Sequence, residues 1–284
     1  MMTKKYDYQE EKVQHNDTSN NNEHIVKVHS SNDRGESITL EASLTIPNNA
    51  KGIVLFAHGS GSSRHSTRNR YVAQVLNNAG ISTLLIDLLT PEEEEFDLKA
   101  QRIISKVPGI ILNKFNIRLL AKRLIAATDW IITKEKEEQE QKEGHGQQQQ
   151  HNADNDIIIG YFGASTGAAA ALVAAAQRPN LIAAIVSRGG RPDLAGSEAL
   201  SNVRAPTLLI VGGSDDKMVI DLNNKALKHL IKVEKKKLVL VPNATHLFEE
   251  PGTLEEVAWL ASGWFGCYFL IRKHGSSSSS IIKQ

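Results

Sequence analysis

Residues 156–172 read Asp-Ile-Ile-Ile-Gly-Tyr-Phe-Gly-Ala-Ser-Thr-Gly-Ala-Ala-Ala-Ala-Leu, and no other stretch limits the fold as strongly. Ile157, Ile158 and Ile159 are consecutive β-branched residues, which predicts a strand buried on both faces. From Ala168 to Gln177 the chain is rich in alanine, the strongest helix former. Between the two lies Gly163-Ala164-Ser165-Thr166-Gly167, a G-x-S-x-G pattern. A strand that turns directly into a helix needs a tight corner. The corner residue is forced into strained backbone and its side chain is pushed out of the sheet. Glycines on either side let neighbouring backbone approach without a Cβ clash, so Ser165 reads as an exposed nucleophile. The first N–H groups of the following helix have no helical partner and point to where an oxyanion would form. The rival reading is a dinucleotide-binding turn. Its G-x-G-x-x-G spacing is not met by Gly160-x-x-Gly163-x-x-x-Gly167, and residues 181–188 carry no acid.

The flanking sequence predicts an α/β domain with a mostly parallel sheet, an N-terminal antiparallel hairpin, and helices on both faces. Residues 24–29 and 37–46 alternate in polarity around Asn32-Asp33-Arg34-Gly35, the pattern of a hairpin. Residues 51–57, 81–87, 181–187, 206–212 and 237–241 are short apolar strands. Amphipathic helices are expected from Tyr71 to Gly80 and over 117–133, 221–233 and 253–273. Residues 1–22 and 274–284 read as loose tails around a domain spanning 23–273. Residues 90–115 and 134–155 are insertions, the first a flap or a surface detour, the second a polar loop. His145 and His151 in the second insertion have nothing apolar to hold them still, so a solvated loop is expected there rather than a metal site.

A serine hydroxyl needs a general base, and the base needs an acid to orient it. In sheets with this elbow the chain order is serine, acid, histidine. His229 falls within a helix and His274 in the tail. His246, in Pro242-Asn-Ala-Thr-His-Leu-Phe248, follows the last strand and is the expected base. The acid should follow residues 206–213, where Asp215 and Asp216 compete. Counting Gly213-x-x-Asp-x-x-Val219 makes Asp216 the expected acid; counting from Gly212 would favour Asp215, and the aspartate not used is expected to form the turn. The expected oxyanion donors are the N–H groups of Thr166 and, from the His58-Gly-Ser-Gly61 loop, Ser60. His58, Arg64, Arg188 and Arg191 are candidates for contacting substrate. Guanidinium groups could hold an anionic substrate by paired hydrogen bonds, or could be tied up in ion pairs with acids such as Asp193.

Composition narrows the partners. With 33 basic and 32 acidic residues the net charge is +1, which gives no push toward nucleic acid or an anionic membrane. The single cysteine, Cys267, fits a reducing, cytoplasmic compartment and is expected inside a C-terminal helix packing. The first ten residues have no apolar segment of the kind a signal peptide carries, and no apolar run reaches membrane-spanning length. The G-x-x-x-x-G-K-[ST] loop of nucleotide triphosphate binding does not occur.

Five pieces together resemble the dienelactone hydrolase-like group of the α/β-hydrolases. They are Ala57-His-Gly-Ser-Gly-Ser-Ser-Arg-His65, Gly163-Ala-Ser-Thr-Gly167, Val186-Ser-Arg-Gly-Gly-Arg-Pro192, Gly212-Gly-Ser-Asp-Asp216 and Ala244-Thr-His-Leu-Phe248. They span about residues 51–264. The resemblance implies a hydrolase using an acyl-enzyme on a small ester or lactone, with no metal and no redox cofactor. Dienelactone hydrolases themselves carry a cysteine nucleophile. Ser165 stands at that position here, which favours ester substrates. Acyl transfer by the same three residues and a non-catalytic binding protein of the same fold are the alternatives.

Overall fold

The computed structural model describes residues 23–32, 34–103, 111–143 and 157–279. Eight strands form one sheet in the order β1-β2-β4-β3-β5-β6-β7-β8. β1 (Glu23–Ser31) and β2 (Ser37–Thr45) are the antiparallel hairpin. Its turn is fixed by Asn32 Oδ1, which accepts the N–H groups of Arg34 and Glu36 at 3.0 and 2.9 Å. β2 pairs antiparallel with β4 (Ser82–Ile86). From there β3 (Ile53–Ala57), β5 (Ile159–Ala164), β6 (Ile182–Arg188), β7 (Thr207–Gly212) and β8 (Lys236–Val241) run parallel. Every residue of β3 to β7 is buried, as two-sided coverage by helices requires.

Two apolar layers sandwich the sheet. On one face α1 (Thr67–Asn78) and α7 (Thr253–Ser279) cover Phe56, Phe162, Val186 and Ile210. Phe265 and Phe269 of α7 reach the sheet where Gly160 leaves room. A Cβ on Gly160 would lie 2.7 Å from the Phe265 ring. On the other face α3 (Ile117–Glu143) and α4 (Thr166–Gln177) pack on Leu55, Leu84 and Tyr161. Small alanines along α4 let it sit close to the sheet, directly behind Ser165.

Several expectations need correction. α3 does not stop near residue 133 but runs on to Glu143. Residues 134–143 are Lys, Glu and Gln, which propagate a helix once it is nucleated, and Lys134 pairs with Glu137 at 2.6 Å. His145 and His151 lie outside the described residues. α7 likewise continues past Lys273 to Ser279. Cys267 is exposed, since the buried face of α7 passes through Ala261, Phe265 and Phe269 and residue 267 falls on the opposite side. The 90–115 insertion carries a helix, α2 (Pro91–Gln101). Thr90 accepts the Glu93 N–H at 3.3 Å while Glu93 Oε2 accepts the Thr90 N–H at 2.9 Å, a capping box with Pro91 in the first turn. A further short helix, α5 (Gly196–Asn202), precedes β7, and α6 (Lys217–His229) precedes β8. Among the described residues no helix is long and apolar enough to cross a membrane.

Phe265 has no exposed surface and lies between α7 and the sheet. Phe265→Ala is expected to destabilise the fold by about 3–5 kcal/mol in urea unfolding, with the cavity left against Gly160.

Candidate active site

Ser165 sits between β5 and α4 with φ 51° and ψ −119°, left-handed backbone in a residue with a Cβ. Holding such a residue costs about 1–3 kcal/mol, so its surroundings must fix it firmly. Its N–H donates to Arg188 O at 3.2 Å, and its carbonyl accepts the Arg191 N–H at 3.0 Å and the Ala168 N–H at 3.1 Å. The flanking glycines have a steric cause. A Cβ on Gly163 would fall 2.4 Å from Ala168 Cα, and one on Gly167 would fall 2.1 Å from Ala57 O. The corner closes only when both are absent.

The loop after β3 crosses in front of the serine. A Cβ on Gly59 would lie 3.0 Å from Ser165 Cβ. Ser60 follows Gly59 in this loop, and Thr166 opens α4, where its N–H has no partner within the helix. Ser60 and Thr166 both line one cavity of about 270 Å³. His58 anchors the loop. Its Nε2 accepts the Leu88 N–H at 2.9 Å, and its Nδ1 lies 3.0 Å from Gly59 O. With Nε2 as acceptor, Nδ1 carries the proton, and the ring is neutral. Burial pushes its pKa below the ordinary value, which favours that form. Both nitrogens are taken by backbone, so His58 is a strut of the loop, and it also lines the cavity.

His246 lies in the turn after β8, bounded by the left-handed Asn243 and Phe248. Its Nδ1 is 2.9 Å from Asp215 Oδ2. The Asp215 side chain is almost fully buried and that of His246 about two-thirds covered. The β7 and β8 loops are joined by Gly213 N–H to Val241 O at 2.7 Å and Ser214 N–H to Ala244 O at 2.9 Å. This corrects the preference for Asp216. Asp216 turns away and caps α6, accepting the Met218 N–H at 2.8 Å. Asp215 also accepts the Asp216 N–H at 2.7 Å, which fixes its rotamer.

The arginines divide. Arg64 pairs with Asp87 and, at 2.6 Å, with Glu41. Arg191 makes two bonds to Asp193 at 2.9 and 2.8 Å and is held there. Both are paired with acids of the chain, the second of the two readings that the sequence allows. Arg188 differs. It is buried at the end of β6, with its guanidinium 5.9 Å from the Phe248 ring centre and Nη2 3.4 Å from Asn69 Oδ1. Burial, and then the nearby Arg68, depress its pKa to about 10. Sequence reading missed Asn69 and Phe248 around it. It also missed Arg123 of α3, which is wholly buried, bonds Leu88 O at 2.5 Å and pairs with both oxygens of Glu93. An arginine inside an apolar helical period was the one available signal.

The geometry can be compared with known proteins. No protein-family model matches the chain. A crystal structure of dienelactone hydrolase from Anabaena variabilis ATCC 29413 superposes with a TM-score of 0.71 at 52% identity, covering 88% of this chain and 99% of that one. The chain belongs to the α/β-hydrolase superfamily, in its dienelactone hydrolase-like family. Est1E from Butyrivibrio proteoclasticus (TM-score 0.58, 15% identity, 88% and 99% covered) shares this hydrolase fold. So does the Pyrococcus furiosus esterase Pf2001 (TM-score 0.61, 15% identity, 87% and 94% covered). The chain is also 52% identical over 222 residues to a Mycobacterium tuberculosis protein named "Putative phosphoribosyl transferase". That match covers 78% of this chain but only 42% of the relative, so the chain spans less than half of its length.

The two neighbouring aspartates separate experimentally. Asp215→Ala is expected to lower the reactivity of Ser165 toward a fluorophosphonate by up to about four orders of magnitude, the scale of a lost histidine orienter. Asp216→Ala should leave that reactivity within about threefold and cost about 1 kcal/mol of stability through the lost cap. Labelling rates and urea unfolding of both variants measure this.

Proposed function

We propose that the protein is a serine hydrolase acting on small carboxylic esters or lactones through an acyl-enzyme. The observation that carries this reading is Asp215 oriented on His246, in the loop after β8, beside an elbow that holds Ser165 in left-handed backbone. Asp215 accepts the His246 Nδ1 proton, which leaves Nε2 unprotonated and able to take the Ser165 proton. Ser165 Oγ then attacks the ester carbonyl. In this reading the oxyanion is held by the N–H groups of Ser60 and Thr166, two residues that line the same cavity. His246 returns the proton to the leaving alkoxide, and an acyl-serine remains. A water molecule, deprotonated by His246 in turn, releases the acid and restores the serine. No step calls for a metal or a redox cofactor.

Esterases and a dienelactone hydrolase among proteins of this fold support hydrolysis. The transferase name of the mycobacterial relatives belongs to proteins more than twice as long as the part matched here. Acyl transfer would use the same residues with an alcohol in place of water. Of the arginines on which an anionic substrate was expected, Arg188 alone is not committed to a carboxylate. A cytoplasmic setting fits the lone, exposed Cys267.

Labelling with a fluorophosphonate followed by peptide mapping tests the reading. Wild type should carry the adduct on Ser165, and Ser165→Ala and His246→Ala should lose it. Folded wild type that takes no adduct would contradict it.

A further inference from the structure

The cavity beside Ser165 says more about the substrate than the arginines do. Its floor is the loop from His58 to Ser63 together with Thr166, so it opens onto both proposed oxyanion donors. Its roof is α2, the helix of the 90–115 insertion, and Leu89, Leu98 and Leu120 give it apolar sides. The roof is rigidly hung. Arg123 binds Leu88 O and Glu93 at once, while the Leu88 N–H is bound by His58 of the floor. Floor, roof and α3 therefore share one buried set of bonds.

Three charged side chains reach the wall, and they are not equivalent. Asp97 is buried and saturated, accepting the Asn113 and Lys114 N–H groups at 2.8 and 2.9 Å and the Asn113 amide at 3.0 Å. Lys114 Nζ bonds Gln101 at 3.0 Å and lies 5.6 Å from the Phe115 ring centre, drawn toward the outer end of α2. Glu94, in the first turn of α2, is solvent-exposed and lines the mouth of the cavity, with no cation paired to it among the described ion pairs. Lost solvation, and then the carboxylates of Asp87 and Asp97, raise its pKa above the ordinary carboxylate value. Arg188 offers no compensation there. It lies on the opposite side of the sheet, between α1 and Phe248.

We propose that this cavity receives one arm of the ester, and that Glu94 makes it prefer a positively charged arm over a neutral one and a neutral arm over an anionic one. The proposal rests on the serine-hydrolase reading and deepens it. It also runs against an anionic substrate, one of the two readings that the clustered arginines allow.

Two isosteric sets of esters test it, one for each side of the scissile bond. On the leaving side they are S-acetylthiocholine (cation), S-(3,3-dimethylbutyl) thioacetate (neutral) and S-acetyl-3-mercaptopropionate (anion). On the acyl side they are the p-nitrophenyl esters of betaine (cation), 3,3-dimethylbutyrate (neutral) and malonate (anion). The cation-to-anion ratio of kcat/KM is compared between wild type and Glu94→Gln, which cancels both intrinsic reactivity and the amount of folded enzyme. In one of the two sets the ratio should fall by about tenfold in Glu94→Gln, since a cation loses and an anion gains a severalfold factor. A change below about twofold in both sets, or a higher cation-to-anion ratio in Glu94→Gln, would overturn the proposal. So would a Ser165 adduct with fluorophosphonate in an enzyme that hydrolyses none of the six. If neither adduct nor hydrolysis is seen, it is the hydrolase reading that has failed.

Discussion

The site depends on one backbone constraint, the left-handed conformation of Ser165. A residue with a Cβ resists φ 51°, and only contacts made after the whole sheet has assembled can hold it there. Its N–H is bound by the end of β6, its carbonyl by the turn that follows β6, and its helix by backbone of β3 across Gly167. The corner is thus a product of parallel pairing among β3, β5 and β6. A serine in an ordinary loop would relax and lose both its exposure and its alignment with the N-terminus of α4. The strain is confined to one residue because Gly163 and Gly167 absorb the crowding on either side.

Around that corner, each partner is positioned by a separate, short-range device. Asp215 and His246 are brought together because the loops after β7 and β8 are stitched by two backbone hydrogen bonds before either side chain is considered. The loop after β3 is fixed by a neutral histidine that accepts from Leu88. The Arg123–Glu93 pair then ties that same Leu88 to the roof of the cavity. A buried ion pair of this kind adds little net stability over a well-packed apolar contact, but breaking it would leave a charge without a partner. Its evident consequence here is geometric: it couples the insertion helix to the catalytic loop.

The fold was legible because its strands are solid apolar runs and its corner is marked by glycines that sterics demand. The corner at Ser165 and the loop of His246 could be located for the same reason, since each follows a strand and each stands in a recognisable turn. Asp215 and Asp216 could not be separated by counting. They are adjacent at the head of α6, and which one caps the helix and which faces the histidine depends on where the β8 loop lies. Whether the arginines face substrate or pair within the chain is hidden for a similar reason. Arg64 meets Glu41 from a distant strand, and nothing local announces that pairing. The polar run from 134 to 143 was taken for a loop because it buries no apolar face, although its residues are good helix formers. The arginine inside the period of α3 could have been noticed, but its partner Glu93 stands among four consecutive glutamates that sequence alone does not tell apart.

The central claim is that Ser165 is covalently acylated during turnover. Rapid quenching of the protein with p-nitrophenyl acetate measures it directly, by following p-nitrophenolate in the first turnover and mapping the quenched protein by mass spectrometry. A burst close to one equivalent of active sites, with acetyl on the peptide holding Ser165, is the predicted result. Linear release with no burst, and steady hydrolysis retained in Ser165→Ala, would contradict it.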